Sequence, residues 1–204
     1  MHSGLAYKTF LIENKNKKMK KEIFEIIIYG RGGQGAKTTA EIIAQSSLKG
    51  DKYVQAFPEF GPERSGAPVR TFVRISDKPI KTREPIVNPD CFMVLDETLL
   101  EVFEGFEKLG ENSVLIINTK KNEEEILKNI EFKGKLILID ASGISMKIIK
   151  ENRPNTVILG KFSAVTKKVD LEDIIKVFRI KYSEKIGTEK TNLNIKAINF
   201  AYEE

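Results

Sequence analysis

The sequence contains one cysteine, Cys91, one histidine, His2, and no tryptophan among its 204 residues. With so few thiol and imidazole groups, one copy of the chain cannot assemble an iron–sulfur cluster, a zinc site, a disulfide framework or a Ser-His-Asp triad. We therefore predict no metal-ligating residue here, and any redox metal must be held by a partner.

Long hydrophobic runs are also missing from the start of the chain. Residues 1–18 contain only the short apolar pieces 5–7 and 10–12, too short for a signal-peptide core or a membrane span. They carry four lysines against one glutamate, so most of the net charge of +5 lies there. The remainder is nearly neutral, which argues against nucleic-acid binding. We expect a disordered extension at 1–18, one domain at 19–204, translation that starts at Met19, and a cytoplasmic location.

Apolar runs alternate with helical candidates along the rest of the chain. Strands are predicted at 23–29, Tyr53–Phe57, Val69–Ile75, Cys91–Leu95, Val114–Ile117 and Leu136–Ile139. Several of these runs are continuous in Val, Ile and Leu, which indicates strands buried on both faces, as in parallel sheets covered by helices. Helices are predicted at Glu97–Phe106, Glu123–Ile130 and Ser145–Lys150.

Two amphipathic segments at the C-terminal end complete the pattern. Apolar residues recur at helical spacing from Leu171 to Tyr182, after Asp170 as a predicted cap, and again from Thr191 to Tyr202. Ser183–Thr188 is predicted to be the turn between them. The fold class is α/β: a three-layer α/β/α single domain with a mostly parallel or mixed sheet and C-terminal helices.

The most informative segment is G-R-G-G-Q-G at 30–35, between the first strand and a helix-forming run. Gly30, Gly32 and Gly35 have the G-x-G-x-x-G spacing, where missing side chains allow a tight turn and bring backbone N–H groups close to an anion. The following helix directs the positive end of its dipole at the same anion. Two interpretations stay open: a loop that binds an anionic ligand, and a tight turn without a ligand.

The loop departs from two common nucleotide signatures. A dinucleotide site needs an acidic residue about 20 positions on, and the second predicted strand, Tyr53–Phe57, ends without one. A Walker A loop places lysine directly after its last glycine, whereas Ala36 separates Gly35 from Lys37. The sequence therefore favours neither a nicotinamide site nor a nucleotide triphosphatase.

Three predicted strands end in a polar acceptor: Asp96, Asn118 and Asp140. In open α/β sheets ligands bind beyond the carboxyl ends of the strands, so these residues should surround the same crevice as the glycine loop. Residues of these types also cap the helices that follow strands. Both roles are consistent with the sequence.

A second unusual segment is F-P-E-F-G-P-E-R-S-G-A-P at 57–68, which is rich in proline and therefore stiff. It is either the rim of a site or interface, with Arg64 as a forked cation for phosphate or carboxylate, or a rigid crossover. On the next strand, Arg70 and Arg74 share one face with Phe72 between them. Those two arginines either bind an anion or pair with carboxylates, and we favour pairing.

Taken together, segments 30–41 and 53–68 resemble the gamma subunit of pyruvate and related 2-oxoacid:ferredoxin oxidoreductases. The likeness continues through V-R-T-F-V-R-I-S-D-K-P-I, N-P-D-C-F-M-V-L-D-E-T-L-L and N-T-V-I-L-G-K-F, and spans Glu22 to Tyr202. The glycine spacing alone is a weak signal. Its combination with the proline-rich segment at this distance is specific to the family.

The resemblance implies an enzyme complex that decarboxylates a 2-oxoacid on thiamine diphosphate, passes electrons through iron–sulfur clusters to ferredoxin, and transfers the acyl group to coenzyme A. Thiamine diphosphate and the clusters belong to alpha, beta and delta partner subunits. Pyruvate is the expected substrate, while 2-oxoglutarate, branched-chain 2-oxoacids and indolepyruvate are handled by related assemblies. Neither a nucleic acid nor a membrane is an expected partner.

The resemblance also implies that the gamma-type domain helps to hold coenzyme A. On this interpretation Gly32, Gly33, Gln34 and Gly35 contact an anionic group, with Arg31 and Lys37 as charge partners, and Arg64 lines the approach. This chain supplies no catalytic acid, base or nucleophile, because its contribution is to position the thiol. Two alternatives stay open: a purely structural docking subunit, and an independent dinucleotide-binding oxidoreductase.

Overall fold

The computed structural model describes residues 21–49, 51–59, 66–103 and 105–204. The predicted extension at 1–18 and the predicted start at Met19 lie outside these residues. Arg64 also lies outside them, together with residues 60–65 of the proline-rich segment.

The described residues form six strands, six α-helices and two 3₁₀ helices. The strands are β1 Ile23–Arg31, β2 Tyr53–Pro58, β3 Pro68–Ser76, β4 Cys91–Val94, β5 Val114–Asn118 and β6 Lys135–Ile139. The α-helices are α1 Ala36–Ser46, α2 Glu123–Leu127, α3 Ala141–Ile148, α4 Pro154–Thr166, α5 Leu171–Ile186 and α6 Thr188–Glu203. Two 3₁₀ helices occupy Glu97–Glu101 and Phe106–Lys108. All six predicted strands are confirmed.

The strands form a single mixed sheet in the order β2-β3-β1-β4-β5-β6. Strands β1, β4, β5 and β6 pair in parallel, whereas β3 runs antiparallel to both β1 and β2. The connection from β2 to β3 is shorter than the dozen or so residues that a parallel crossover needs, so these two strands pair as antiparallel neighbours. The predicted α/β class with a mostly parallel sheet is confirmed.

Alternate residues of the central strands point to the two faces of the sheet. Ile26 and Ile28 of β1 belong to a core that includes residues of α1 and α3 to α6. Ile27 and Tyr29 belong to a second core, which is covered by the 3₁₀ helices and the short α2. The long helices therefore lie on one face, and the C-terminal ends of β4, β5 and β6 stay open beside the start of α1.

Several predicted helix boundaries were wrong. The segment predicted as a helix at Glu97–Phe106 is two 3₁₀ helices, because Gly105 adopts a positive φ of 122° that a continuous helix excludes. Helix α2 ends at Leu127, before the predicted end at Ile130. Helix α3 runs from Ala141 to Ile148 and so begins earlier than predicted.

The two C-terminal helices are confirmed, with differences at their ends. Asp170 occupies the N-cap position of α5, but its side chain makes an ion pair with Lys49 instead of a capping hydrogen bond. Helix α5 continues to Ile186, so the predicted six-residue turn at Ser183–Thr188 is reduced to Gly187. Among the described helices, none is long and apolar enough to cross a bilayer.

Candidate functional site

The glycine loop joins β1 to α1, as the sequence predicted. Gly35 occupies the N-cap position of α1 in the left-handed region, with φ of 84°, and Gly33 has φ of 93°. L-residues with side chains rarely adopt this conformation, so the two positions require glycine or a residue that tolerates it, such as asparagine. Gly35 provides no side-chain cap, and the first turn of α1 contains no acidic residue. The positive end of this helix is therefore uncompensated locally.

Some amides of the loop are used by the loop itself. The Gly32 amide donates to the Ala67 carbonyl at 2.8 Å, and the Gln34 amide donates to the Arg31 carbonyl at 2.9 Å. The Gly33 and Gly35 amides have no hydrogen-bond acceptor among the residues that the structure describes. Of the predicted anion contacts, the Gly33 and Gly35 amides are therefore the ones left available by the loop.

The side chain of Gln34 braces the loop. Its Oε1 accepts from the Arg31 amide at 2.7 Å, and its Nε2 donates to Asp96 Oδ2 at 2.7 Å. The guanidinium of Arg31 lies 3.3 Å from the Asp96 carboxylate and donates to Thr98 Oγ1 at 2.7 Å. Arg31 and Gln34 thus tie the glycine loop to the end of β4.

Asp96 is the centre of this network. Burial alone would raise the pKa of its carboxyl, but hydrogen bonds from Thr98 and Gln34 and the charge of Arg31 outweigh burial, so the pKa is lowered. Asp96 is therefore ionised at neutral pH and neutralised by Arg31. The sequence predicted Asp96 as a crevice or capping residue but not as the partner of Arg31, which lies 65 positions earlier in the chain.

A crevice of about 810 Å³ opens beside the loop. Gly33, Gln34 and Gly35 form one side of it, and Asp96, Asn118 and Asp140 line the ends of the neighbouring strands. The prediction that these three polar residues surround the same crevice as the glycine loop is confirmed. It follows from the parallel arrangement of β1, β4, β5 and β6, which brings their carboxyl ends to one edge.

Two of these residues, Asp96 and Asp140, also fulfil the capping role that the sequence left open, whereas the helix after Asn118 is capped by Asn122. Asp96 accepts from the Thr98 amide at 3.1 Å, and Asp140 accepts from the Gly143 amide at 2.8 Å. Asn118 donates to the Leu95 carbonyl at 2.9 Å and accepts from the Ser142 amide at 3.0 Å. Their side chains therefore shape the edge of the crevice by fixing the loops around it.

The start of α4 forms a wall of the crevice that sequence reasoning missed. A Cβ atom on Gly35 would lie 2.6 Å from Asn155 Nδ2, so the two helix starts are in direct contact. Thr39 Oγ1 of α1 donates to the Asn155 carbonyl at 3.1 Å. Helix α4 has apolar residues on nearly all sides, so it lacks the one-sided pattern by which a surface helix is recognised. Pro154 at its first position was the available signal.

The remaining predicted site residues lie elsewhere. Lys37 is exposed in the first turn of α1, and neither it nor Arg31 or Gly32 lines the crevice. Arg64 lies outside the described residues.

The two arginines of β3 are paired within this chain. Arg70 pairs with Glu59, and Arg74 lies 2.9 Å from Glu25. The interpretation of these residues as ion-pair partners is thereby confirmed, and both carboxylates belong to this chain.

No group of three or more His, Cys, Asp or Glu side chains in the described residues is placed to hold a metal ion. Cys91 is free and buried, and its burial together with the nearby charge of Asp90 raises the pKa of its thiol. A buried neutral thiol is a poor nucleophile.

Comparison with known proteins gives the family. Residues 25–204 match the family model described as pyruvate ferredoxin/flavodoxin oxidoreductase. The pyruvate/ketoisovalerate oxidoreductases common subunit gamma of Thermococcus kodakarensis is 42% identical over 178 residues, which are 87% of this chain and 96% of that protein. The crystal structure of pyruvate oxidoreductase subunit PORC from Thermotoga maritima has a TM-score of 0.79 at 41% identity, and the match covers 90% of this chain and 97% of that one.

A more distant likeness extends the fold to a larger enzyme. The 2-oxoglutarate:ferredoxin oxidoreductase from Magnetococcus marinus, with 2-oxoglutarate, coenzyme A and succinyl-CoA bound, has a TM-score of 0.75 at 20% identity. The match covers 90% of this chain and 31% of that chain, and at this identity it shows the fold alone. The closer matches, which cover nearly the whole length of both partners, show that this chain belongs to the pyruvate ferredoxin/flavodoxin oxidoreductase family as its gamma-type subunit.

Proposed function

We propose that this subunit helps to bind and position coenzyme A in a complex that oxidatively decarboxylates a 2-oxoacid, most simply pyruvate, to an acyl-CoA. Thiamine diphosphate and iron–sulfur clusters lie on alpha, beta and delta-type partners, and ferredoxin accepts the electrons. The proposal rests on the crevice at the start of α1, because Gly33 and Gly35, whose amides have no acceptor among the described residues, line a space large enough for part of a cofactor. A cytoplasmic location remains a prediction.

The physical fit rests on the phosphates of coenzyme A. Backbone N–H groups at the positive end of a helix bind phosphate well, and the brace from Gln34 and Arg31 to Asp96 holds the loop in shape before ligand arrives. We assign no catalytic acid, base or nucleophile to this chain. Its proposed contribution is to hold the coenzyme so that the thiol reaches an intermediate on a neighbouring subunit.

Gly33→Asp should raise the KM for coenzyme A about tenfold or more, because a carboxylate at this exposed turn repels a phosphate at the helix start. Gly33→Asn is the matched control. Asparagine and aspartate have the same shape and both tolerate a positive φ, and the site has no heavy atom within 4 Å of a Cβ. Steady-state kinetics of the assembled complex is the measurement. Equal KM values for the two variants would contradict the proposal.

Lys37→Glu separates the coenzyme role from a purely structural docking role. Lys37 is exposed on the first turn of α1, so reversing its charge acts on a phosphate in the crevice by a long-range, salt-dependent effect. The coenzyme role predicts a severalfold higher KM for coenzyme A at low ionic strength, with all subunits still present after purification. The docking role predicts instead that this chain is lost from the complex. Chromatography of the native complex, with quantification of each subunit, distinguishes the two results. Charge reversal at Arg64 is the second variant of the same design.

The third role, an independent dinucleotide-binding oxidoreductase, is disfavoured by the order of strands. In a dinucleotide fold the second strand lies beside the first in parallel and carries the ribose-binding carboxylate. Here antiparallel β3 lies between β1 and β2, and Glu59 after β2 pairs with Arg70. Tight, saturable binding of NAD or NADP to the complex would reverse this preference.

A further inference from the structure

Two helix starts, α1 and α4, face the crevice side by side. Among the described helices these are the ones that lack both a capping side chain and an acidic residue in the first turn. The other α-helices carry a cap at Asn122 or Asp140, or acidic first-turn residues in α5 and α6. The two uncompensated positive ends therefore converge at one edge of the sheet.

The side chains at the start of α4 add polar groups without partners. Thr156 is only 4% exposed and lines the crevice, yet its hydroxyl makes no hydrogen bond within the described part of the chain. The hydroxyl oxygen itself is not fully buried, so it is accessible from the crevice and free to bond to a group that enters it. The side-chain amide of Asn155, packed on Gly35, also lacks a hydrogen-bond partner among the described residues and lines the same crevice.

The carboxylates around the crevice do not cancel this preference for an anion, because each has a partner. Asp96 pairs with Arg31, Glu97 lies 3.6 Å from Lys121, and Asp140 caps α3. Glu151 lies between Arg153 and Lys190, at 3.0 Å and 2.9 Å. The glycine loop and the start of α4 contribute glycine, amide and hydroxyl groups to the crevice wall, at Gly33, Gln34, Gly35, Asn155 and Thr156.

We infer that the start of α4, with Asn155 and Thr156, is the second half of a diphosphate site whose first half is the glycine loop. The inference rests on the proposed function, because the diphosphate is that of coenzyme A. One phosphate contacts the amides of Gly33 and Gly35, and the neighbouring phosphate contacts the Asn155 and Thr156 side chains. The site thus selects a diphosphate-bearing ligand over one with a single phosphate.

Asn155→Asp in the assembled complex tests the inference. Aspartate in the first turn is favourable for the helix itself, so folding is expected to be retained, while the new charge repels a phosphate. The KM for coenzyme A should rise about tenfold, and inhibition by inorganic pyrophosphate should weaken more than inhibition by inorganic phosphate. The control is Asn112→Asp, which adds the same charge at an exposed position near the opposite end of the sheet. It should leave the KM for coenzyme A and the inhibition by pyrophosphate unchanged.

Thr156→Val gives a test without a change of charge. Loss of the hydroxyl should raise the KM for coenzyme A severalfold, and Thr156→Ser should restore it. Thr166→Val removes a hydroxyl from the other end of α4, away from the crevice, and should have no effect on this KM. If the Asn155→Asp subunit does not assemble into the complex, the KM values of Thr156→Val and Thr156→Ser alone test the inference.

The outcomes separate the inference from the proposed function. A raised KM in Gly33→Asp with unchanged values in Asn155→Asp and Thr156→Val would overturn the inference and keep the coenzyme role. An unchanged KM for coenzyme A in all three variants would overturn both the inference and the proposed coenzyme role. Pyrophosphate that fails to compete with coenzyme A in the unmodified complex would also overturn the inference.

Discussion

Gly160→Ala should lower the free energy of unfolding by about 3 kcal/mol, because α4 and α6 pack backbone to backbone at this position. A Cβ atom on Gly160 would overlap the Ile198 carbonyl oxygen and lie 2.9 Å from the Ile198 carbonyl carbon and 3.0 Å from the Tyr202 nitrogen. The obstacles are backbone atoms of a helix, which cannot move as a side chain can. Chemical denaturation followed by circular dichroism measures the effect.

Gly110→Ala is the matched control for this substitution. A Cβ atom on Gly110 would have its nearest neighbours at 3.6 Å to 3.7 Å, which is ordinary van der Waals contact, and Gly110 does not have a positive φ. We expect a change within about 0.5 kcal/mol, as for substitutions away from the core. Equal stability of the two variants would mean that α4 and α6 separate easily, contrary to the packing described above.

Arg74→Met should cost about 3 kcal/mol of folding stability, because Arg74 forms a buried ion pair. Its side chain is 2% exposed, its Nε lies 2.9 Å from Glu25, and its Nη2 donates to the Glu84 carbonyl at 2.6 Å. The guanidinium also stacks over the Phe57 ring at 5.4 Å. Methionine fills much of the space but leaves the Glu25 carboxylate and the Glu84 carbonyl without this donor. Thermal or urea unfolding is the measurement.

Arg70→Met on the same strand and the same face provides the comparison. Arg70 pairs with Glu59 and stacks over Phe103, but both charged side chains are about one third exposed. Water and salt screen such a pair, so its loss should cost only about 0 to 1 kcal/mol. A larger loss at Arg70 than at Arg74 would show that burial is not what sets the contribution of these pairs.

The local pattern of apolar residues was sufficient to predict the strands of this fold. Continuous apolar runs such as Cys91–Val94 are buried on both sides of the sheet, and their type and position could be predicted because burial on two faces demands Val, Ile, Leu and similar residues throughout. The glycine loop could likewise be predicted from its spacing, and its last glycine, Gly35, has a positive φ that glycine adopts more readily than other residues.

Helix α4 could not be predicted in this way. It is surrounded by other helices and the sheet, so Val157, Leu159 and Phe162 are buried on different sides and no polar face remains. A helix without a polar face has no 3.6-residue pattern to read. Since its start supplies Asn155 and Thr156, half of the proposed diphosphate site was missed with it.

The roles of the loop residues also depended on contacts distant in sequence. Arg31 and Gln34 have the chemistry of anion ligands, and their positions in the motif favoured that role. Both are engaged by Asp96, more than 60 residues later, and the Gly32 amide is engaged by Ala67. Spacing along the chain carries no information on such pairings.

The amino acids alone therefore established the α/β class, the strands, the turn at the head of α1 and membership of a 2-oxoacid oxidoreductase family, because these depend on short-range sterics and on segments of contiguous sequence. Folding in three dimensions decided which amides and side chains are left unpaired at the crevice. That outcome depends on which groups distant in sequence form hydrogen bonds with one another in the folded chain. It is the reason that the residues proposed to contact the coenzyme are Gly33, Gly35, Asn155 and Thr156.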